Sequence, residues 1–206
     1  MYKNILDTQQ QDLLDLISTF WKEYYLVWWT AIALFLWHRK SIDFDLFTSH
    51  SIRPQTIVNR IIQHGYQIDH TLVSNEDELT VLVHDVKLTF LTFPFDIEAT
   101  YPIIPHVINS PDLLTLSSMK AYAMGRRSKW KDYVDMYFLM QKWFSLGDIS
   151  EKAREIFGWA FEEKLFREQL CYYADIDYSE QVTYTQEAHP TNKVIQVYLT
   201  EKATEL

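Results

Sequence analysis

Apolar and polar residues alternate in two rhythms along this chain, and the change of rhythm divides it. Leu13, Leu14, Ile17 and Phe20 recur at helical spacing behind Asp7 and Thr8, so an opening amphipathic helix capped by one of these two is predicted. Tyr24 to Val27 then reads as a short strand, Thr30 to Leu36 as a short helix, and the residues around Asp43 and Asp45 as a second strand. Pro54 to His64 has Pro in its first turn and Gly65 as its stop, the signature of another helix. Tyr66 to Val73, Leu79 to His84 and Val86 to Phe93 alternate with period two, separated by Asn75-Glu76-Asp77 and by a tight turn near Asp85. From Pro111 onward the period is helical: Asp112 to Met124, Trp130 to Trp143, Asp148 to Phe157, Phe161 to Tyr173 and a last segment after Pro190. Pro102, Pro105 and Pro111 punctuate the crossover between the halves. The expected fold class is α+β: a mixed sheet with flanking helices in an α/β core over residues 1–108, then a helical subdomain over 109–206, with the active site between them.

With 206 residues, 48% of them hydrophobic, the chain can bury a proper core. Its longest apolar run, Leu26 to Trp37, is too short to span a bilayer, and the N-terminus lacks a basic-then-apolar leader pattern. A single cysteine, Cys171, excludes an internal disulfide and reads as a small buried hydrophobe. Together these predict a cytoplasmic protein with no membrane contact. The formal charge of −9 argues against a generally basic nucleic-acid surface. Locally the balance reverses. Lys120, Arg126, Arg127, Lys129 and Lys131 fall within one acid-free stretch, whereas the segment after Ser145 carries 12 acids against 6 bases. A phosphate-facing patch beside an acidic helical surface is one reading of that asymmetry, and a solvated helix end is the other.

The candidate chemistry begins with Asp43 and Asp45. Alternate strand residues share a face, so both carboxylates point the same way and can hold a divalent cation between them. A bare pair of this kind is equally an edge-strand surface feature. Its context decides. The segment LVWWTAIALFLWHRKSIDFDLF, residues 26–47, resembles the signature of the AbiEii/AbiGii-type nucleotidyltransferase toxins of the DNA polymerase β-like superfamily. A second block, MKAYAMGRRSKWKDYVDMYFLM, residues 119–140, resembles that family's Lys…Arg…Asp-x-x-Asp element.

The resemblance implies a Mg²⁺-dependent transfer of a nucleoside monophosphate from an NTP to an acceptor, RNA such as tRNA in a toxin setting, with a cognate antitoxin as partner. It assigns metal binding to Asp43 and Asp45, a phosphate contact to Lys120 and a functional carboxylate to Asp132. Nucleotide or substrate contacts fall to Trp28, Trp29, Thr30, His38, Arg39, Ser41, Arg126, Arg127 and Asp135. His38, Arg39 and Ser41 are alternatively braces for the strand that carries the aspartates, and Asp135 alternatively does no more than pair with Arg126 or Arg127. Tyr24, Tyr25 and Tyr133 lie close enough to the motifs to stack on a base. At the place where many superfamily members have a third carboxylate this chain has Thr89, a poor substitute for a charged ligand.

The sequence also departs from the resemblance. Trp28-Trp29 stand where that family has Gly-Gly, and Trp37 where it has the Gly before His-Arg. Average usage predicts about 14 glycines in this length, yet the chain has 4, alongside 7 tryptophans. UGA codons read as glycine in the source would account for Trp28, Trp29 and Trp37, with Trp159 next and Trp21 or Trp143 after it, while Trp130 sits where relatives carry Trp. The alternatives are a diverged, catalytically inactive homologue acting as a binding or regulatory protein, and a small-molecule nucleotidyltransferase of the antibiotic-modifying kind.

Overall fold

A computed structural model describes residues 5–205. The chain divides into two compact units, one of Met1–Phe35 with Lys40–Asp112, the other of Leu36–Arg39 with Leu113–Leu206.

In the first unit the expected opening helix is two short ones, α1 (Thr8–Asp12) and α2 (Leu14–Ser18). Asp7 caps α1 in a reciprocal box with Gln10. A five-stranded sheet follows, in the order β1 (Tyr25–Leu26), β2 (Asp43–Thr48), β5 (Val86–Thr92), β4 (Glu78–Val83), β3 (His70–Ser74). Only β2 and β5 run parallel; the other pairings are antiparallel, so the sheet is mixed as expected. Helix α3 (Trp28–Leu36) links β1 to β2, and α4 (Pro54–Gln63) leads on to β3. His84 and Asp85, both at positive φ (53 and 62), make the two-residue turn between β4 and β5, matching the primed turns that tight hairpins require.

The register of this sheet explains where its polar groups go. Phe44 pairs with Leu88 and Leu46 with Phe90, while Leu88 and Phe90 face Val81 and Leu79 of β4. All of these are buried, and Phe90 contacts the rings of Phe20 and Tyr24. The alternate residues form the opposite face in two rows: Asp43, Lys87, Leu82 and then Asp45, Thr89, Thr80. One face of the sheet is therefore core, and the other concentrates polar side chains at the start of β2.

The crossover that Pro102, Pro105 and Pro111 punctuate has structure of its own. It holds a hairpin, β6 (Tyr101–Ile104) and β7 (Ile108–Ser110), with a register shift between Tyr101 and Ile104. Pro102 lies inside β6 itself, and the two-stranded pairing tolerates its missing donor, which the alternation signal penalises.

The second unit is helical: α5 (Leu113–Met124), α6 (Trp130–Lys142), α7 (Leu146–Phe157), a 3₁₀ turn (Gly158–Ala160), α8 (Glu163–Cys171) and α9 (Asn192–Thr204). Ser145 and Asp148 form a capping box at the start of α7. Cys171, expected to be buried, is exposed at the end of α8. Among the described residues no helix is long and apolar enough to cross a membrane.

Candidate active site

Asp43 opens β2 and Asp45 follows on the same face, both buried. The strand start is pinned by two hydroxyls: Thr30 on α3 donates to the Asp43 carbonyl, and its Oγ1 lies 2.7 Å from Ser41 Oγ. Thr30 and Ser41 thus hold the backbone of the aspartate strand. Lys87, directly opposite Asp43 in register, brings Nζ to 3.0 Å from Asp43 Oδ2, and its side chain is 29% exposed. Lys87 is not among the residues expected from the sequence, although its alternation with Thr89 along the strand marks it as a second polar position on the aspartate face. Thr89 sits opposite Asp45, with Thr80 Oγ1 3.4 Å from its hydroxyl and 2.7 Å from Glu78 Oε1. Among the described residues no group of three or more His, Cys, Asp or Glu is arranged to hold a metal ion.

Trp28 and Trp29 crowd this face. The Trp28 ring is 4.6 Å from that of Phe47, which shares the face of Asp43 and Asp45, and Lys87 Nζ lies 5.6 Å from the Trp29 ring. Trp28 adopts φ 51 where the chain turns from β1 into α3, and Trp37, just past α3, adopts φ 57.

The remaining predicted residues gather in the second unit. Asp132 and Asp135, three apart on α6, present both carboxylates to one side and are fully buried. Asp135 accepts from four donors: His38 Nε2 at 2.7 Å, Arg39 Nε at 2.7 Å and Nη2 at 2.8 Å, and Lys120 Nζ at 3.0 Å. Asp132 accepts from Lys120 Nζ at 2.8 Å and from Arg127 through Nε at 3.0 Å and Nη2 at 3.2 Å. Burial alone would raise the Asp135 carboxyl, but the Arg39 and Lys120 charges and the hydrogen bonds from His38 and Arg39 hold it well below the usual carboxylate range. Asp132 is lowered against the same burial by Lys120 and Arg127. His38 goes the other way: burial pulls it down more than Asp135 pushes it up, so the ring is neutral. Neutral His38 donates from Nε2 to Asp135, and its buried Nδ1 has no hydrogen-bond partner among the described residues. The segment Leu36–Arg39 is tied further by Thr185, which donates through Oγ1 to the Trp37 carbonyl and through its amide to the His38 carbonyl.

Several expectations are corrected by this geometry. Lys120, the expected phosphate contact or else a structural partner of Asp132 or Asp135, is wholly enclosed, because its apolar neighbours on α5 carry it inside and both aspartates neutralise it there. Asp135 pairs with His38, Arg39 and Lys120, not with Arg126 or Arg127. Arg126 donates to the Tyr122 and Ala160 carbonyls and stacks over the Tyr122 ring. The basic run is not an open phosphate patch. Lys129 pairs with Asp177 and Glu180, and Lys131 with Glu180, acids some fifty residues away that no local charge pattern announces. Tyr133, expected near a base, is buried beside Trp130 and Tyr173.

A five-stranded mixed sheet with an aspartate pair heading a strand next to its parallel neighbour, followed by a helical unit, is the nucleotidyltransferase fold. Solved structures agree: a candidate nucleotidyltransferase from H. pylori has a TM-score of 0.57 at 15% identity, covering 94% of this chain and 91% of that one. JHP933 from Helicobacter pylori gives 0.54 at 15% over 96% and 91%, and the nucleotidyltransferase toxin MenT4 of Mycobacterium tuberculosis H37Rv gives 0.53 at 11% over 96% and 85%. No family model matches the chain. The uncharacterized protein aq_aa25 of Aquifex aeolicus is 30% identical over 134 residues, 58% of this chain, and the matched part spans about three-fifths (59%) of that relative's length.

Proposed function

We propose that this chain is a nucleotidyltransferase of the AbiEii-like toxin kind, transferring a nucleoside monophosphate from an NTP to an RNA acceptor such as tRNA, and restrained by an antitoxin in the cytoplasm of its source. The observation that carries the reading is the pair Asp43 and Asp45 on the polar face of the sheet, with a partly exposed lysine as the counter-ion of the first. The fold shared with the toxin MenT4 supports the toxin setting.

Mg²⁺ fits this donor set. It commonly binds through one or two carboxylates and completes its shell with water and substrate phosphates, so two aspartates without a third protein ligand suit it better than a cation needing an all-protein cage. Lys87 Nζ beside Asp43 is a positive group standing where added positive charge is favoured. The metal would neutralise charge on the transferring phosphoryl group. Thr30 and Ser41 keep the aspartate strand in place, and Lys87, whose side chain is 29% exposed, compensates Asp43. In the helical unit, Asp132 accepts from Nε and Nη2 along one edge of the Arg127 guanidinium, whose side chain is 25% exposed. Lys120 and Asp132 thus hold Arg127, the side chain this reading assigns to substrate binding.

Incubating the chain, as written and with glycine at Trp28 and Trp29, with each labelled NTP, total tRNA and Mg²⁺ tests the reaction class and the acceptor together. Metal-dependent labelling of RNA by either form, abolished by Asp45→Asn, is the expected result. Labelling of neither RNA nor added small molecules by both forms favours the catalytically inactive homologue, and labelling of an aminoglycoside alone favours the small-molecule enzyme.

A further inference from the structure

We infer that Trp21, Trp28, Trp29, Trp37, Trp143 and Trp159 are glycines in the protein made by the source cell, encoded by UGA in a genetic code that reads this codon as glycine, and that Trp130 is a true tryptophan. The backbone carries the argument. L-residues avoid the left-handed region because Cβ crowds the following carbonyl, and for a bulky residue it is an outlier. Yet Trp28 (φ 51) and Trp37 (φ 57) both lie there. Asp85 (φ 62) belongs to a residue type that tolerates this region; an indole has no such excuse. Trp37 directly follows the last residue of α3, the position at which helices commonly end on a left-handed glycine.

Side-chain surroundings point the same way. Trp159 is 98% exposed, next to Gly158, which is itself at positive φ (53). Trp143, at the end of α6, and Trp21, in the turn before β1, are also more than half exposed. An indole in water gains nothing from burial, whereas glycine is at home in turns and helix ends. Trp130 is the contrast: it is 4% exposed, stacks on Tyr133 and meets Tyr178. Trp29 has no backbone signal. Its inclusion alone rests on the nucleotidyltransferase reading, because its ring occupies ground beside Lys87. Glycine at all six would also lift a glycine count of 4 towards ordinary usage.

The test is to sequence the gene in source DNA and to measure peptide masses of the protein from the source cell. TGA is expected at the six positions and TGG at Trp130, with hydrogen in place of the indolylmethyl side chain at each of the six, a mass lower by C9H7N per residue. TGG at Trp28 or Trp37, TGA at Trp130, or TGA with the mass of tryptophan overturns the inference. Because the readout is codon and mass, it succeeds or fails independently of any transferase assay.

Discussion

Two aspartate pairs occupy this molecule, and their contrast shows how one residue type serves two purposes. Asp43 and Asp45 lie two apart on a strand, and Asp43 is matched by Lys87, whose side chain is 29% exposed. Asp132 and Asp135 lie three apart on a helix, sealed with Lys120 and Arg39, whose side chains are 0% and 1% exposed. A partly exposed lysine can leave for water at little cost and yield its place to another cation. An enclosed one cannot, because any vacancy strands a charge in a medium of low dielectric. The first pair is thus suited to exchange of partners, the second to permanence.

The largest effect should come from breaking the enclosed pair. Asp135→Ala is expected to cost about 3–5 kcal/mol in denaturant unfolding, since it leaves Arg39 and Lys120 buried with half their compensation. Asp43→Ala should stay within about 1 kcal/mol, because Lys87 relaxes into solvent. Equal losses would erase the distinction.

Activity should show the reverse ranking. Asp45→Asn in a form that labels RNA is expected to lower incorporation by about a hundredfold or more while the unfolding midpoint holds, as follows when a group serves the transition state and not the fold. Incorporation close to that of the parent would remove Asp45 from the chemistry.

Acid sharpens the comparison next. The Asp135 carboxyl lies below its unfolded value, so the stability it contributes is present above about pH 4 and is lost as pH falls through its depressed folded value. Stability measured downward from pH 5 should therefore decline, and Asp135→Asn should flatten that decline. A slope unchanged in the variant would place the acid sensitivity elsewhere.

The smallest effect belongs to His38. Its folded value is depressed, so the unfolded chain takes up the proton first and stability falls as pH drops below about 6.5. His38→Gln, which retains a donor for Asp135, should remove that fall between pH 7 and 5. Persistence of the full slope in that variant would show that His38 does not carry it.

The sequence alone determined the elements whose signal is local. Period-two alternation marked β4 and β5, helical spacing marked α4 through α7, and the Asp43-Phe44-Asp45 alternation set which residues of β2 share a face. Left-handed backbone at Trp28 and Trp37 was foreshadowed by too few glycines for the length. What only the tertiary structure decided were pairings across long separations. Lys87 meets Asp43 through the parallel register of β2 and β5, Arg39 and His38 meet Asp135 nearly a hundred residues later, and Asp177 and Glu180 absorb the basic run. A side chain's charge and period can be read from its neighbours along the chain. Whether that charge ends up enclosed and compensated depends on which distant segment folds against it, and no local pattern encodes that.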